Sequence, residues 1–314
     1  MTLPSFRFAP LSVRASLLRL LPLAAALACA SSAPPPREFD GRRALEYARA
    51  QLAFGPRIPG TPGHDRMGAW LDSTLRTTAD TVVVQAWEHT ALNGTKVGLM
   101  NYLARYNARA TTRVMFFAHW DTRPRSDGPS STDSTAPVPG ANDGASGVAV
   151  LLAMADRLKA QAPAIGIDLL FVDGEDYGDF YAPDRPDVLI GARYYADHPV
   201  APLPKYAVLL DMIGDRTLQI HQEGFSLSAA PQAVEKIWDA AQRLGYGSTF
   251  LAETGGPITD DHVEFHRVGI PAVDVIDLDY PWWHTKDDTL DKIGEGSLQI
   301  VGDVMMYVVR TERP

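Results

Sequence analysis

The sequence predicts an α/β protein, a three-layer α/β/α domain on a mixed, mostly parallel sheet. Three observations predict it. Apolar runs of strand length at 114–118, 167–172, 206–210 and 272–276 read as strands buried on both faces. Segments of helical periodicity alternate with them, as crossover connections between parallel strands require. The run at 167–172 then ends in Asp173-Gly174-Glu175-Asp176, which crowds three carboxylates at the carboxyl end of a central strand. Ligands of open α/β sheets bind at that edge. A strand buried on both sides is expected to carry charge only where it leaves the sheet, and Gly174 lets the chain turn between the acids.

In chain order, 41–54 reads as a helix with Ala44, Leu45, Ala48 and Leu52 on one face. A stiff Pro/Gly loop at 56–63 leads to a helix at 64–77 with Met67, Trp70, Leu71 and Leu75 inward. Strands at 81–87 and 101–106 read as an antiparallel pair, followed by the buried strand at 114–118. A Ser/Thr/Pro-rich loop at 126–139 precedes a helix at 144–160, and the central strand comes next. A loop with Pro183 and Pro186, a short helix at 192–196, the strand at 206–210 and a helix at 231–244 follow. A Gly-rich loop at 254–257, the strand at 272–276 and a helix at 296–310 complete the order. There are no internal repeats.

Composition narrows the function. The 314 residues are 46% hydrophobic, enough for a sizeable core, and the net charge of −9 with no basic cluster excludes a nucleic-acid partner. Residues 1–29 read as an export signal: Arg7, Arg14 and Arg19 precede an apolar stretch too short to span a bilayer. Cys29, the only cysteine, directly follows that stretch. It is either the lipidated first residue of a lipoprotein, giving a membrane anchor, or incidental to an ordinary secretion signal. Either way there is no disulfide, so the core or a metal must stabilise the domain. Residues 30–38, with three consecutive prolines, read as a linker, and 39–314 as the catalytic domain.

Histidines and carboxylates gather where strands end. His119 and Asp121 follow the strand at 114–118. Asp143 stands at the mouth of the helix at 144–160, Glu175 and Asp176 follow the central strand, Asp211 ends its own, and His284 lies beyond the strand at 272–276. Imidazole and carboxylate without thiolate suit zinc, with manganese, cobalt or iron as alternatives. Singly, each has an ordinary explanation: His119 a packed histidine, Asp143 a helix cap, Asp211 a turn, His284 a wet loop. Five segments converging on one rim favour a shared metal site.

These motifs resemble a known family. His119-Trp120-Asp121, Asn142-Asp143-Gly144, Asp173-Gly174-Glu175-Asp176, Leu210-Asp211-Met212 and His284-Thr285 match, in order and spacing, the zinc aminopeptidase superfamily with the phosphorylase/hydrolase-like fold. Its di-zinc members imply one metal on His119, Asp143 and Asp211 and another on Asp143, Asp176 and His284, with Asp143 bridging. Glu175 is then the general base or acid, and Asp121 orients His119.

Within the superfamily the sequence is most similar to the glutaminyl-peptide cyclotransferases. That resemblance rests on 57–63, on Val188-Leu189-Ile190-Gly191-Ala192-Arg193, on Thr259-Asp260-Asp261-His262 and on Trp283 before His284. It implies a single zinc on Asp143, Asp176 and His284, with His119 and Asp211 leaving room for a second. It also implies a proton-handling network of Glu175, Asp211 and Asp260, and a substrate pocket with Trp283 and Tyr181. Conversion of amino-terminal glutamine of peptides or proteins to pyroglutamate is the expected reaction, and removal of amino-terminal residues by an exported aminopeptidase is the alternative. Three features depart from the cyclase pattern. Asp176 replaces the usual glutamate ligand, Tyr181 stands where animal cyclases carry tryptophan, and 142–147 is closer to the peptidases.

Overall fold

The computed structural model describes residues 37–314, together with Met1, Thr2, Pro4, Ser5 and Ala9. Nearly all of the export signal, Cys29 and most of the linker lie outside the described residues. In order, the elements are α1 (Gly41–Leu52), α2 (Pro62–Thr78), β1 (Thr81–Thr90), β2 (Lys96–Tyr106), β3 (Arg113–His119), α3 (Ala145–Ala160), β4 (Gly166–Val172) and α4 (Ile190–Asp197). There follow β5 (Ala207–Asp211), β6 (Ile220–Gln222), α5 (Gly224–Ala229), α6 (Pro231–Leu244), β7 (Phe250–Thr254), α7 (His262–Arg267), β8 (Ala272–Ile276) and α8 (Glu295–Thr311). The predicted strands and helices all occur. The parallel β6–β7 pair, α5 and α7 are additional, and are short segments of three to six residues with too little length to show a period.

The main sheet has the order β1-β2-β4-β3-β5-β8. β1 pairs with β2 and β2 with β4 antiparallel, while β4–β3, β3–β5 and β5–β8 are parallel, so the sheet is mixed and mostly parallel. Because β3, β4, β5 and β8 run the same way, their carboxyl ends share one edge. Alternation along each strand divides two cores. Val114, Phe116 and Ala118 of β3 pack with α1, α2, α3, α6 and α8 on one face. Met115 and Phe117 pack on the other face with Tyr195 of α4 and Phe265 of α7. This is the predicted three-layer arrangement.

The central strand departs from expectation in one respect. Asp168 lies inside β4 and is fully buried. It is tolerated because the equally buried Arg113 donates from Nε at 2.9 Å and Nη2 at 2.5 Å to its Oδ1. A buried carboxylate needs such a fork of charged donors. Gly147 brings α3 close to β5: a Cβ there would lie 2.1 Å from the Leu210 carbonyl oxygen and 2.9 Å from Ala118 Cβ.

Gly147→Ala therefore gains about 1 kcal/mol of helix propensity yet should destabilise the fold by roughly 1–3 kcal/mol through overpacking against backbone. Chemical denaturation reads this as a lower midpoint. An unchanged or higher midpoint would show that α3 can move off β5.

Candidate metal centre

The shared carboxyl edge carries the predicted residues. His119 is the last residue of β3 and Asp211 the last of β5, while Glu175 and Asp176 follow β4 through Gly174. Asp143 immediately precedes the turn into α3. Its carboxylate does not cap that helix, because the N-cap is Gly144 and no side-chain bond closes the first turn. Gly144 has φ +88°, and a Cβ there would meet His119 Cε1 at 3.0 Å, so glycine lets the Asp143 turn pass directly beside the imidazole. His284 is 6% exposed, not on a wet loop, and has a left-handed φ of 53°; Met212, next to Asp211, has φ 45°. Left-handed backbone at non-glycine residues clusters at functional sites because surrounding contacts must impose it.

Asp143 joins two groups of donors. Its Oδ1 lies 3.2 Å from His119 Nε2, which is 3.3 Å from Asp211 Oδ1. Its Oδ2 lies 3.6 Å from His284 Nε2, which is 3.2 Å from Asp176 Oδ1. His119, Asp143 and Asp211 form one set and Asp143, Asp176 and His284 the other, each with donor atoms within 4.8 Å of one another. Oδ2 of Asp143 and Oδ2 of Asp176 are buried without a hydrogen-bond partner. Orphaned carboxylate oxygens beside two imidazoles, with Asp143 Oδ2 facing His284 Nε2, fit a divalent cation of the zinc type, which takes N and O donors.

Electrostatics agree with that fit. Burial pushes Asp143 above the usual carboxylate range, and Asp176 adds to it. Glu175 is pushed well up by burial, with Asp176 and Asp260 reinforcing it against His119. Asp260 is pushed well up by burial and by Asp274 and Asp211, and Asp261 by burial against the opposing charge of His119. Burial would also raise Asp176, but His284 and Arg123 bring it down to about 2. Both histidines rise despite burial, His119 chiefly through Glu175 and His284 through Asp176.

A fixed frame holds these groups. Arg57 is fully buried and donates to three carbonyls, from Nε to Trp120 (3.2 Å), from Nη1 to Pro139 (2.7 Å) and from Nη2 to Gly140 (2.7 Å). It thereby ties the His119 segment to the Asp143 turn. Asp288 accepts the Asn142 and Asp143 N–H groups at 2.9 and 3.1 Å and the Tyr280 hydroxyl at 2.6 Å. Asn142 Oδ1 accepts the Gly214 N–H and Ser146 Oγ the Ile213 N–H, which fixes the chain just beyond Asp211.

Several expectations change in detail. Asp121 Oδ1 lies 3.7 Å from His119 Nδ1, too far for a hydrogen bond. Its two oxygens instead accept the N–H groups of Glu175 and Asp176, each at 3.1 Å. Asp121 thus holds the loop that carries Glu175 and Asp176. Asp173 turns away from the cluster to meet His64 Nε2 at 2.9 Å and the Met100 N–H at 2.7 Å. Glu175, Asp211 and Asp260 line one cavity of about 620 Å³ with Trp283 and His284. Trp283 stacks on the His284 ring at 4.1 Å. Tyr181 also lines the cavity but is 91% exposed, so it stands at the mouth instead of forming an inner wall. The two frame residues Asp288 and Arg57, and the pair Arg123 and Asp127, are not marked as functional by spacing. For Arg123 there is a signal: it is a cation two residues beyond Asp121 among acids.

An α/β sheet with histidine and aspartate converging on its carboxyl edge has the donor set of a metal-dependent enzyme. The chain belongs to peptidase family M28, whose model matches residues 101–309. It is 28% identical over 264 residues to a mouse glutaminyl-peptide cyclotransferase-like protein, covering 74% of this chain and 66% of that protein. It is 27% identical over 242 residues to aminopeptidase YwaD of Bacillus subtilis, covering 69% of this chain and 45% of the relative. Among solved structures, the glutaminyl cyclase of Bacteroides thetaiotaomicron bound to N-acetylhistamine superposes with a TM-score of 0.84 at 36% identity, over 88% of this chain and 99% of that one. A Zn-dependent exopeptidase from Parabacteroides distasonis gives a TM-score of 0.83 at 37% identity, over 89% and 100%.

The shifted groups predict a pH response. Acids whose pKa is raised by folding take up protons in the fold first, so stability grows as pH falls through the window above their ordinary values. The raised histidines act in the same direction, since their contribution is complete below about pH 6.5 and lost as pH rises through the folded value. Among the described residues the lowered His266 opposes them there. Zinc competes with protons for the same donors. The gap in melting temperature between zinc-loaded and chelator-treated protein should therefore narrow from about pH 7.5 to about pH 5.5. A constant gap in differential scanning fluorimetry would separate the acids from the metal site.

Proposed function

We propose that this protein is a zinc-dependent glutaminyl-peptide cyclotransferase acting on the amino terminus of peptides or proteins. The observation that carries the proposal is the pairing of Glu175 with a second buried acid, Asp260, in a cavity walled by Trp283. Relatives named as glutaminyl cyclases support it.

Asp143, Asp176 and His284 would hold one zinc, and bound zinc supplies a Lewis acid for the γ-carboxamide oxygen of the substrate's first residue. The substrate's own α-amine is the nucleophile. Its nitrogen bonds to the γ-carbon, the bond from that carbon to the amide nitrogen breaks, and ammonia leaves. Glu175, with its proton affinity raised by burial, takes the proton from the amine and delivers it to the departing nitrogen. Asp260, its own proton affinity raised by burial, adds to that of Glu175, and Asp211 lines the same cavity. Trp283 limits water, so ring closure outruns hydrolysis. Holding amine and carboxamide in contact contributes the proximity an intramolecular reaction exploits.

A second activity has its own supporting observation. The two oxygens of Asp143 face two donor sets, the second completed by His119 and Asp211, and a site with two ions suits an aminopeptidase that activates water. No helix among the described residues is long and apolar enough to cross a membrane. Export is part of the proposal, with the route to the periplasm, the medium or a lipid anchor depending on Cys29.

Purified protein should release ammonia from a glutamine-initiated peptide without shortening it, and hold one zinc per chain. Two bound metals with release of free leucine from a leucine-initiated peptide would instead establish the aminopeptidase.

Glu175→Gln preserves shape but cannot take a proton. Turnover should fall by roughly 10²–10⁴-fold while zinc content is unchanged. Full activity in this variant would assign the proton transfer to another residue.

A further inference from the structure

Arg123 is 3% exposed and lies beside the metal centre, yet the chemistry above gives it no task. Its Nε and Nη2 donate to Asp127 Oδ1 and Oδ2 at 2.5 and 2.8 Å, a two-point fork. Its Nη1 donates to Asp176 Oδ1 at 2.9 Å and to the Asp176 carbonyl oxygen at 3.3 Å. That Oδ1 is the oxygen facing His284 Nε2. Asp127 Oδ1 in turn lies 3.7 Å from His284 Nδ1, and the next residue, Gly128, donates its N–H to the His284 carbonyl at 2.9 Å. A closed chain of contacts thus runs from Asp176 through Arg123 and Asp127 to His284.

We propose that Arg123 and Asp127 are a positioning pair that braces Asp176 and His284 against each other and sets the affinity of the Asp143–Asp176–His284 centre for its ion.

The physical case has three parts. Aspartate has a short side chain, so its reach depends on backbone placement. Asp121 fixes the Asp176 N–H, and Arg123 fixes both its carbonyl and its carboxylate. Arg123 also takes one lone pair of Oδ1 and leaves the rest of the carboxylate for the ion. Finally, a lone guanidinium beside a cation site would repel the ion, and the Asp127 fork cancels that charge. Lysine could not reproduce the arrangement, since a single ammonium cannot present a planar fork to Asp127 while also reaching two oxygens of Asp176. Groups oriented around metal ligands in this way typically contribute 10–100-fold to metal affinity.

The pair acts on ion binding whichever reaction the enzyme catalyses, and it rests only on the metal reading of the site. The test uses the full-length protein, chelator-treated and dialysed, titrated with zinc against a fluorescent chelator and with cobalt(II) for its electronic absorption. Arg123→Gln should weaken zinc binding by roughly 10–100-fold and shift the cobalt bands. Arg123→Lys should recover part of the affinity. Asp127→Asn, on a side chain that is 29% exposed and so tolerant of change, should weaken zinc because it leaves the guanidinium charge uncancelled. It also gives a reading should Arg123→Gln fail to fold. The double variant should be no weaker than Arg123→Gln alone. Unchanged zinc affinity and cobalt spectrum in folded Arg123→Gln, or in Asp127→Asn, would overturn the proposal. So would a raised KM for the peptide with zinc affinity intact, which would make Arg123 a substrate contact. An unaltered protein that takes up no zinc would overturn the metal reading and the brace together.

Discussion

Negative charge buried at the carboxyl edge of the sheet is the constraint on which the rest of the structure depends. Asp143, Glu175, Asp176, Asp211, Asp260 and Asp261 are all nearly inaccessible to water. Removing ionised carboxylates from water is costly unless protons, cations or donors compensate. The fold answers by element. His119 and His284 sit between the acids, and Arg123 takes one oxygen of Asp176. The remainder of the mismatch, seen as orphaned oxygens on Asp143, Asp176 and Asp261, is what a bound cation or a raised proton affinity must resolve.

That constraint explains why so many polar residues are buried without touching substrate. Arg57, Asp121 and Asp288 each bind backbone of the loops that carry the clustered acids. Loops that carry ligands cannot be held by a sheet ladder, so their N–H and carbonyl groups need dedicated partners. The result is a rim fixed by side-chain clamps on a scaffold fixed by the core. The left-handed backbone at Met212 and His284 shows where the clamps overrule local preference.

Relatives of this chain are named both as glutaminyl cyclases and as aminopeptidases. Asp143 presents one oxygen to each donor set, at 3.2 Å from His119 and 3.6 Å from His284. The set with His284 has surroundings of its own. There Trp283 stacks on His284, Tyr181 stands at the mouth and the Arg123–Asp127 pair closes one side. Such surroundings govern water access and the firmness of a single ion site.

The sequence by itself determined the fold class and the order of the long elements, and it placed the histidines and aspartates at strand ends; their division into two donor sets came with the family resemblance. Hydrophobic periodicity and residue chemistry are local properties, and strands read as parallel must bring their ends to one edge. His119, Asp143, Asp176, Asp211 and His284 were legible for that reason. Short elements such as β6, β7, α5 and α7 were not, having no period to read. Only the tertiary structure decided that Asp173 turns toward His64, that Asp121 holds the backbone of Glu175 and Asp176, and that Tyr181 is exposed. It alone joined Arg57 to the Asp143 turn and Arg123 to Asp176, across 83 and 53 positions of chain. Such contacts depend on which distant segments the core brings within about 3 Å, a distance no local pattern encodes.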